Sequence, residues 1–482
     1  MKGHTRIELK DVNTGLVEIK EDDNMVTNAI NYYLASMGIF EETNLLSNAS
    51  VRANQLWKNM LGGILLFDTR ITESVNNVIP PLDGTMIGNG AYGYANSGEV
   101  TELGSWNTTE SGIQSDGSLR LVWDFATDQA NGTIQSVCLT SASGGFLGCG
   151  NATSKKRYAS ANINGFPDVQ HPLKSLPYSS TTVQHPTGKI NSYMHIIYAD
   201  YEENCIYYLD SDSVVYSEAT KNKHFTTTKK IIINKYHLGL SSVDIRINNK
   251  IDNLLIDSYE IVVPDEVISY IGSSYSTATI MPIVDENFNV FLVITVNSGI
   301  VNVNENFYII QLLNFNSVSN IYKLTNTSLI QLYLIYKPYQ LTSIRNGYLY
   351  SKGNGVFNYL VKINISNSTD VARIYHVDES LTSDVGGIGI LNDSIYTQLG
   401  GNSILHGNSL IPCNGIMNNS LTMWKSQKVK GNPLLYIESN SNNSPTFNCY
   451  RNGLYLATIN NLESPVTKTQ SKTMKVTYTI TF

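Results

Sequence analysis

Charge is scarce in this chain. Only 15% of its 482 residues are charged, and 33 Lys and Arg face 40 Asp and Glu, a formal net charge of -7. That balance excludes a sequence-independent grip on nucleic acid, which needs a basic footprint. Long apolar runs are missing as well. Val290-Phe291-Leu292-Val293-Ile294 is strand-sized, well short of the ~20 residues of a membrane-spanning helix, so no membrane insertion is expected. The opening residues hold no apolar stretch of the secretory kind, so no signal peptide is expected either. Cysteine is rare: five residues and no Cys-x-x-Cys pair suit reduced, buried thiols, although Cys138 and Cys149 lie close enough in sequence to bridge across a turn. There is no Gly-x-Ser-x-Gly elbow, no His-Glu-x-x-His and no Gly-Lys-Ser/Thr loop. The expectation is a protein that is not an enzyme and takes no cofactor or metal.

What is there is apolar and aromatic: 42% hydrophobic residues and 30 tyrosines exclude disorder. The length exceeds one core and predicts two or three domains. At the end of the chain, Met474, Val476, Tyr478, Ile480 and Phe482 alternate with Lys475, Thr477, Thr479 and Thr481, the period of a strand with one buried face. At the start, Thr5–Lys10, a turn over 11–15, and Leu16–Lys20 read as strand, turn, strand. The two ends are expected to share one sheet, because termini often lie close together and a long insertion into a surface loop costs little entropy.

Asp23 or Asn24 is placed to cap a helix through Met25, Ala29, Tyr32, Tyr33 and Met37, and a second helix is expected near 45–60, stopped by Gly62-Gly63. Gly88-Asn89-Gly90-Ala91-Tyr92-Gly93 spells the dinucleotide fingerprint, but loop-like residues follow where a helix must meet the pyrophosphate. Leu119–Ala126 and Thr133–Thr140, separated by Asn131-Gly132, read as a hairpin. Val169-Gln170-His171-Pro172 recurs as Val183-Gln184-His185-Pro186 within an irregular linker, where metal ligation is the less favoured reading of the histidines.

From about residue 190, strand, polar turn, strand recurs around 200–204, 248–253, 285–289, 346–347 and 392–393. The turn centres repeat roughly every 47 residues, near the ~40–50 residues of propeller blades. Five or six blades would fill the segment; an elongated sandwich or stacked β array is the rival. Asp285-Glu286-Asn287-Phe288-Asn289 starts like a calcium loop but has Val290 where the loop needs Gly. Asp200, Glu202 and Glu203 are the densest acid group, yet neighbours on one turn seldom face each other as glycosidase carboxylates do. The candidate contact residues are Tyr270, Tyr275, Tyr333, Tyr336 and Tyr339, since tyrosine offers large contact area at low entropy cost.

Several stretches carry a resemblance. Lys2–Leu9, Glu21–Ala29, Gly88-Asn89-Gly90, Leu103-Gly104-Ser105-Trp106-Asn107, Glu110-Ser111-Gly112, Leu121–Phe125, Ala130–Ile134, Ile459–Val466 and Lys472–Tyr478 resemble tail proteins of phages, prophages and phage-tail-like bacteriocins of Firmicutes. The resemblance covers about 1–150 and 453–482. The resemblance marks the two ends as a small α+β tail-attachment module (1–150 plus 453–482); with the strand rhythm of the centre, the expectation is a mainly β protein in which a linker (151–189) leads to an inserted all-β, propeller-like or elongated, host-facing domain (190–452). The resemblance also implies a receptor-binding or baseplate-associated component, made in the bacterial cytoplasm and carried in a virion tail or extracellular tail-like particle. Its partners would be other tail proteins and a cell-surface protein or glycan, with a homo-oligomer, trimer favoured. The alternatives are a purely structural baseplate part and a surface-glycan depolymerase.

Overall fold

A computed structural model of the chain describes residues 2–40, 57, 60–80, 86–96, 101–147, 170–172, 195–209, 229–237, 255–272, 279–296, 300–301, 304–326, 332–333, 342–352, 359–375, 388–391, 394–397, 403–406, 409–412, 426–440, 446–451 and 453–481. The fold is mainly β. The described residues divide into two units: those up to Gln170 join those from Tyr450 onward, and those of His171–Pro412 and Asn419–Cys449 form the other. Strands and helices are numbered in chain order.

The first unit contains β1 (Lys2–Asp11), β2 (Val17–Val26), α1 (Ala29–Phe40), β3 (Gly63–Phe67), β4 (Met86–Ala91), β5 (Ser105–Trp106), β6 (Gly112–Ile113), β7 (Leu119–Phe125), β8 (Gly132–Thr140), α2 (Ala142–Leu147), β31 (Thr458–Lys468) and β32 (Lys472–Thr481). Its ten strands make one sheet, in the order β4-β3-β8-β31-β2-β1-β32-β7-β5, with β6 on β7. The ends of that path meet where Asn89 bridges Leu103, donating its N–H to the Glu102 carbonyl and accepting from the Gly104 N–H. The result is a nearly closed barrel.

The alternating terminal strand lies inside this sheet. On one side of β32, Tyr478 faces Thr5 and Met474 faces Leu9; on the other, they face Leu121 and Phe125. Met474, Val476, Tyr478 and Ile480 are buried together with Ile7, Leu9, Leu121, Trp123 and Phe125. Period-two alternation puts one whole set of side chains on the inner face, and each such side chain contributes roughly 1.5–3 kcal/mol when fully buried.

Two local expectations are corrected. First, β7 and β8 are not a hairpin: β31, β2, β1 and β32 lie between them. The terminal strands out-compete the local turn, giving β7 a ladder with β32 and β8 a ladder with β31. Second, α1 starts at Ala29, because Asp23–Val26 continue β2 in register with β1 and β31; Thr27 Oγ1, not Asp23 or Asn24, accepts the Ala29 N–H at 3.2 Å. Gly88 and Gly90 of the fingerprint set aside in the sequence lie within β4, where a Cβ on Gly90 would come 2.5 Å from Trp123 Cδ1. Gly90 makes room for an indole, and Gly88 for Ala130 and Leu66. Of the second expected helix, near 45–60, only Trp57 and Met60 are described, both helical; the rest of it and nearly all of the linker 151–189 fall outside the described residues.

The second unit is built from four-stranded antiparallel meanders. The first is β10 (His195–Asp200), β11 (Cys205–Leu209), β12 (Lys230–His237) and β13 (Leu255–Val262), followed by α3 (Asp265–Ile271). The second is β14 (Thr279–Val284), β15 (Val290–Thr295), β17 (Asn306–Leu313) and β18 (Ser317–Thr325); β16 (Ile300–Val301) pairs separately with β19 (Leu332–Tyr333). The third is β20 (Thr342–Arg345), β21 (Tyr348–Lys352), β22 (Tyr359–Asn364) and β23 (Asn367–Tyr375). The fourth is β24 (Ile388–Leu391), β25 (Ser394–Thr397), β26 (Ser403–His406) and β27 (Ser409–Pro412). The last comprises β28 (Ser426–Lys430), β29 (Asn432–Asn440) and β30 (Thr446–Arg451), and its outer strand is β9 (Gln170–Pro172), from ahead of the first meander.

The first strands of the meanders adjoin in a cycle: β10 beside β14, then β20, β24 and β28, which pairs in parallel with β10. Five meanders closing in this way are the arrangement of a five-bladed β-propeller. Their apolar faces pack blade on blade. Ile197, Ile231 and Ile261 meet Ile280, Leu292 and Ile310; Ile283, Phe291 and Ile309 meet Leu349, Val361 and Ile363. A strand covered on both faces needs no alternation, which explains the unbroken run Val290–Thr295, buried throughout.

The expected turns at 200–204, 285–289 and 346–347 each join the first two strands of a blade. The expected turn at 248–253 lies outside the described residues, and the strand after it pairs back with β12. The fifth blade turns at Gly431, whose φ of +80° favours glycine.

Candidate functional site

Of the tyrosines singled out in the sequence, Tyr270 stands on α3 with its ring 4.9 Å from that of Tyr308. Its hydroxyl donates to the Asn306 carbonyl at 2.5 Å and accepts the Val296 N–H at 3.3 Å. Both of its hydrogen-bonding roles thus serve to hold α3 on the second blade. Tyr275, Tyr336 and Tyr339 lie outside the described residues, and of Tyr333 only its place in β19 is described.

The acid group of the first blade sits on the turn between β10 and β11. Asp200 is buried; its Oδ1 accepts the N–H groups of Glu202 and Glu203, and its Oδ2 lies 2.9 Å from Lys430 Nζ. Glu203 pairs with Lys235 at 2.6 Å and accepts from the Tyr207 hydroxyl at 3.0 Å. The Lys235 hydrogen bond holds the Glu203 carboxyl below its ordinary range. Beneath these charges, Tyr198, Tyr207 and Tyr259 surround Phe315 of the β17–β18 turn. Burial pushes the Cys205 thiol up to about 11, away from nucleophilic use. On the next turn, Asp285 spends its carboxylate on the Asn287 and Asn289 N–H groups, while Glu286 accepts the Asn346 N–H of the third blade at 3.0 Å. These turn acids stitch turns and blades together, and among the described residues no group of His, Cys, Asp and Glu is arranged to hold a metal ion.

A second polar cluster, not read from the sequence as a site, lies on the outer face of the barrel. Asn107 Nδ2 donates to Asp124 Oδ2 at 2.8 Å and to Glu110 Oε1 at 3.3 Å. Lys475 of β32 also pairs with Glu110, and Arg120 Nη2 lies 3.3 Å from Glu110 Oε2. Half-buried Trp106, paired in register with Trp123, lies on the opposite, inner face, edge-on to Trp123 at 5.3 Å and tilted against Tyr92 at 4.6 Å. Two carboxylates around one amide have the composition of a glycosidase pair. That chemistry, however, needs one carboxyl held protonated. The Lys475 hydrogen bond acts in the opposite sense and keeps Glu110 below the usual carboxylate range. Glu110 is thus held anionic and paired. The cluster's only signal in the sequence was that Asn107, Glu110 and Asp124 fall in the tail-like stretches.

No protein-family model and no curated protein matches the chain. Among solved structures, polysaccharide lyase Uly1 overlaps 75% of this chain and 60% of its own at 11% identity and a TM-score of 0.20. An exo-beta-1,3-galactanase from Phanerochaete chrysosporium overlaps 77% and 91% at 9% identity and a TM-score of 0.23. Likenesses of this size assign no activity, and the chain is described by its own two units: a barrel made by its ends and a five-bladed propeller within.

Proposed function

We propose that this chain is a non-enzymatic tail component of a Firmicutes phage, prophage or phage-tail-like particle, in which the barrel attaches to the tail and the propeller binds the bacterial surface. The observation that carries the reading is the interleaving of the two tail-like stretches. Strands from 1–150 and from 453–482 alternate in one sheet, while the whole propeller sequence falls between them. An attachment unit must keep its shape to fit its neighbours, whereas a domain inserted between two of its strands varies without disturbing that fit. Ion pairing of the acids on the first-blade turn, and of Glu110 on the barrel, supports a binding role over hydrolysis. Binding by many copies on one particle multiplies a weak single site.

The test is an exchange of residues 190–450 between related particles. Transfer of host range with the segment is the expected result. Particles that assemble yet keep their original host range would assign the propeller a purely structural role.

A further inference from the structure

β2 and β31 share only a short ladder. Met25 faces Ile459 and Val26 faces Thr458, and there the pairing stops. The strands meet again where the Glu463 N–H donates to Asp22 Oδ2 at 2.9 Å. Between these two joints stand Asn24 and Asn460. Alternation puts both on the face of Thr458, whose Oγ1 accepts the Tyr478 hydroxyl inside the barrel at 2.5 Å. Asn460 is 2% exposed, and both its Nδ2 and its Oδ1 are buried without a hydrogen-bond partner. Asn24 Oδ1 accepts from Thr5 Oγ1 at 3.0 Å, but its buried Nδ2 also lacks a partner. Asn24 offsets part of the upward push that burial gives the Tyr478 hydroxyl, yet no hydrogen bond joins the two. A buried polar atom left unpaired costs more than an ordinary hydrogen bond contributes, and native interiors satisfy nearly all of them. Here three such atoms fall at one break in the barrel wall.

We infer that this break is an internal water site: at least one ordered water bridges Asn24 and Asn460 and completes the seam between β2 and β31. Chemistry selects the occupant. The unmet groups are two amide nitrogens, which donate, and one amide oxygen, which accepts. Water does both, and an internal water is typically held by about three such partners. A cation would meet two donors, and an anion would meet the Asp22 carboxylate two residues along β2. A larger guest has no room. A Cβ on Gly3 would already come 2.8 Å from Asn24 Nδ2 and 3.2 Å from Tyr478 Cε1, and Val137, opposite Asn460, is fully buried. The break coincides with the register shift of β31 against β8 between Asn461 and Val466. A bridging water is nearly as good as a direct hydrogen bond and tolerates such irregular spacing. The inference is independent of the proposed tail role.

The experiment uses the full chain. A high-resolution crystal structure locates the water, and deuteron magnetic relaxation dispersion counts long-lived internal waters in solution. A water peak within about 3.2 Å of Asn460 and of Asn24 Nδ2 is expected. The count should fall by at least one in Asn460→Leu. Stability gives an independent sign. Removing an amide that water satisfies strands the Asn24 amide, so Asn460→Leu should lower the melting temperature. Removing an amide that is truly unpaired should raise it. A dry seam, the two amides bonded directly to each other, or a peak belonging to an ion or an organic molecule would overturn the inference. So would an unchanged water count with a raised melting temperature in Asn460→Leu. If that variant does not fold, the crystal structure of the unaltered chain and the water count of Asn24→Leu decide the matter.

Discussion

Asp200 and Lys430 close the propeller ring: one ends the first strand of the first blade, the other ends the first strand of the last, and Oδ2 and Nζ stand 2.9 Å apart. The two strands run parallel there, with Asp200 opposite Lys430. The carboxylate is nearly inaccessible, at 3% side-chain exposure, while the ammonium keeps contact with water at 44%. Asp200→Asn retains an oxygen for the Glu202 and Glu203 amides and loses only the charge pairing. It should cost about 1–3 kcal/mol, between an exposed and a fully buried pair. Thermal denaturation of the variant, with Lys430→Met and the double variant completing a cycle, measures the coupling. Additive single effects would show that the pair does not latch the ring.

Phe315 wedges the first two blades together. Its ring stacks on Tyr207 at 4.4 Å and 20°, although its backbone occupies the left-handed region at φ +59°. A bulky residue held there costs local strain, which the buried ring contacts must exceed. Phe315→Ala should destabilise the propeller by about 3–5 kcal/mol. Urea unfolding followed by tyrosine fluorescence gives the value, and a loss under ~1 kcal/mol would mean that the ring is not seated as described.

The sequence was most legible where one physical rule decided the outcome. Period-two alternation identified β32 and its buried set, because a half-buried strand has no other pattern. The same rule could not choose neighbours. The turn between Phe125 and Gly132 looked like a hairpin, yet β31, β2, β1 and β32 lie between β7 and β8, two of them returning from more than three hundred residues away. Blade turns were readable at Asn346-Gly347, where both residues have positive φ, but missed at Gly431, where flanking lysines hide the strand pattern. The cluster at Glu110 was illegible for a similar reason: its principal partner, Lys475, is remote in sequence and ordinary in type.

Acid should loosen the barrel through that pair. The folded carboxyl of Glu110 titrates below its unfolded value, chiefly through the Lys475 hydrogen bond, so its stabilisation is present above the usual carboxylate range and lost as pH falls through the folded value. Glu110→Gln should lower the barrel's melting temperature at pH 7 and shrink its decline between about pH 5 and 3. Calorimetry across that range checks both. An unchanged acid limb would remove Glu110 from the account.

Alkali should act oppositely through Lys468. This residue is buried on β31, with Nζ donating to the Thr127 carbonyl at 3.2 Å and Asn131 Oδ1 at 3.0 Å. Burial pushes its ammonium down to about 8. Over the interval from there to the unfolded lysine value, the unfolded chain holds more protons, so stability rises with pH. Melting temperature should therefore climb between about pH 8 and 9.5, ahead of ordinary tyrosine ionisation. Lys468→Met should flatten the climb, and a slope that survives the substitution would place its origin elsewhere.

The position of β32 also sets a timetable for synthesis. It lies between β1, made at the start, and β7, made about a quarter of the way along, yet it is the last of the barrel strands to leave the ribosome. At about 5–20 residues per second, β1 waits roughly 25–90 s for this partner. Every blade is translated in that interval and has its neighbours available before the barrel does. A chain released after Arg451 but short of Lys472 would carry a propeller whose barrel lacks the strand joining β1 to β7. Translation thus holds the barrel open until every blade has been made.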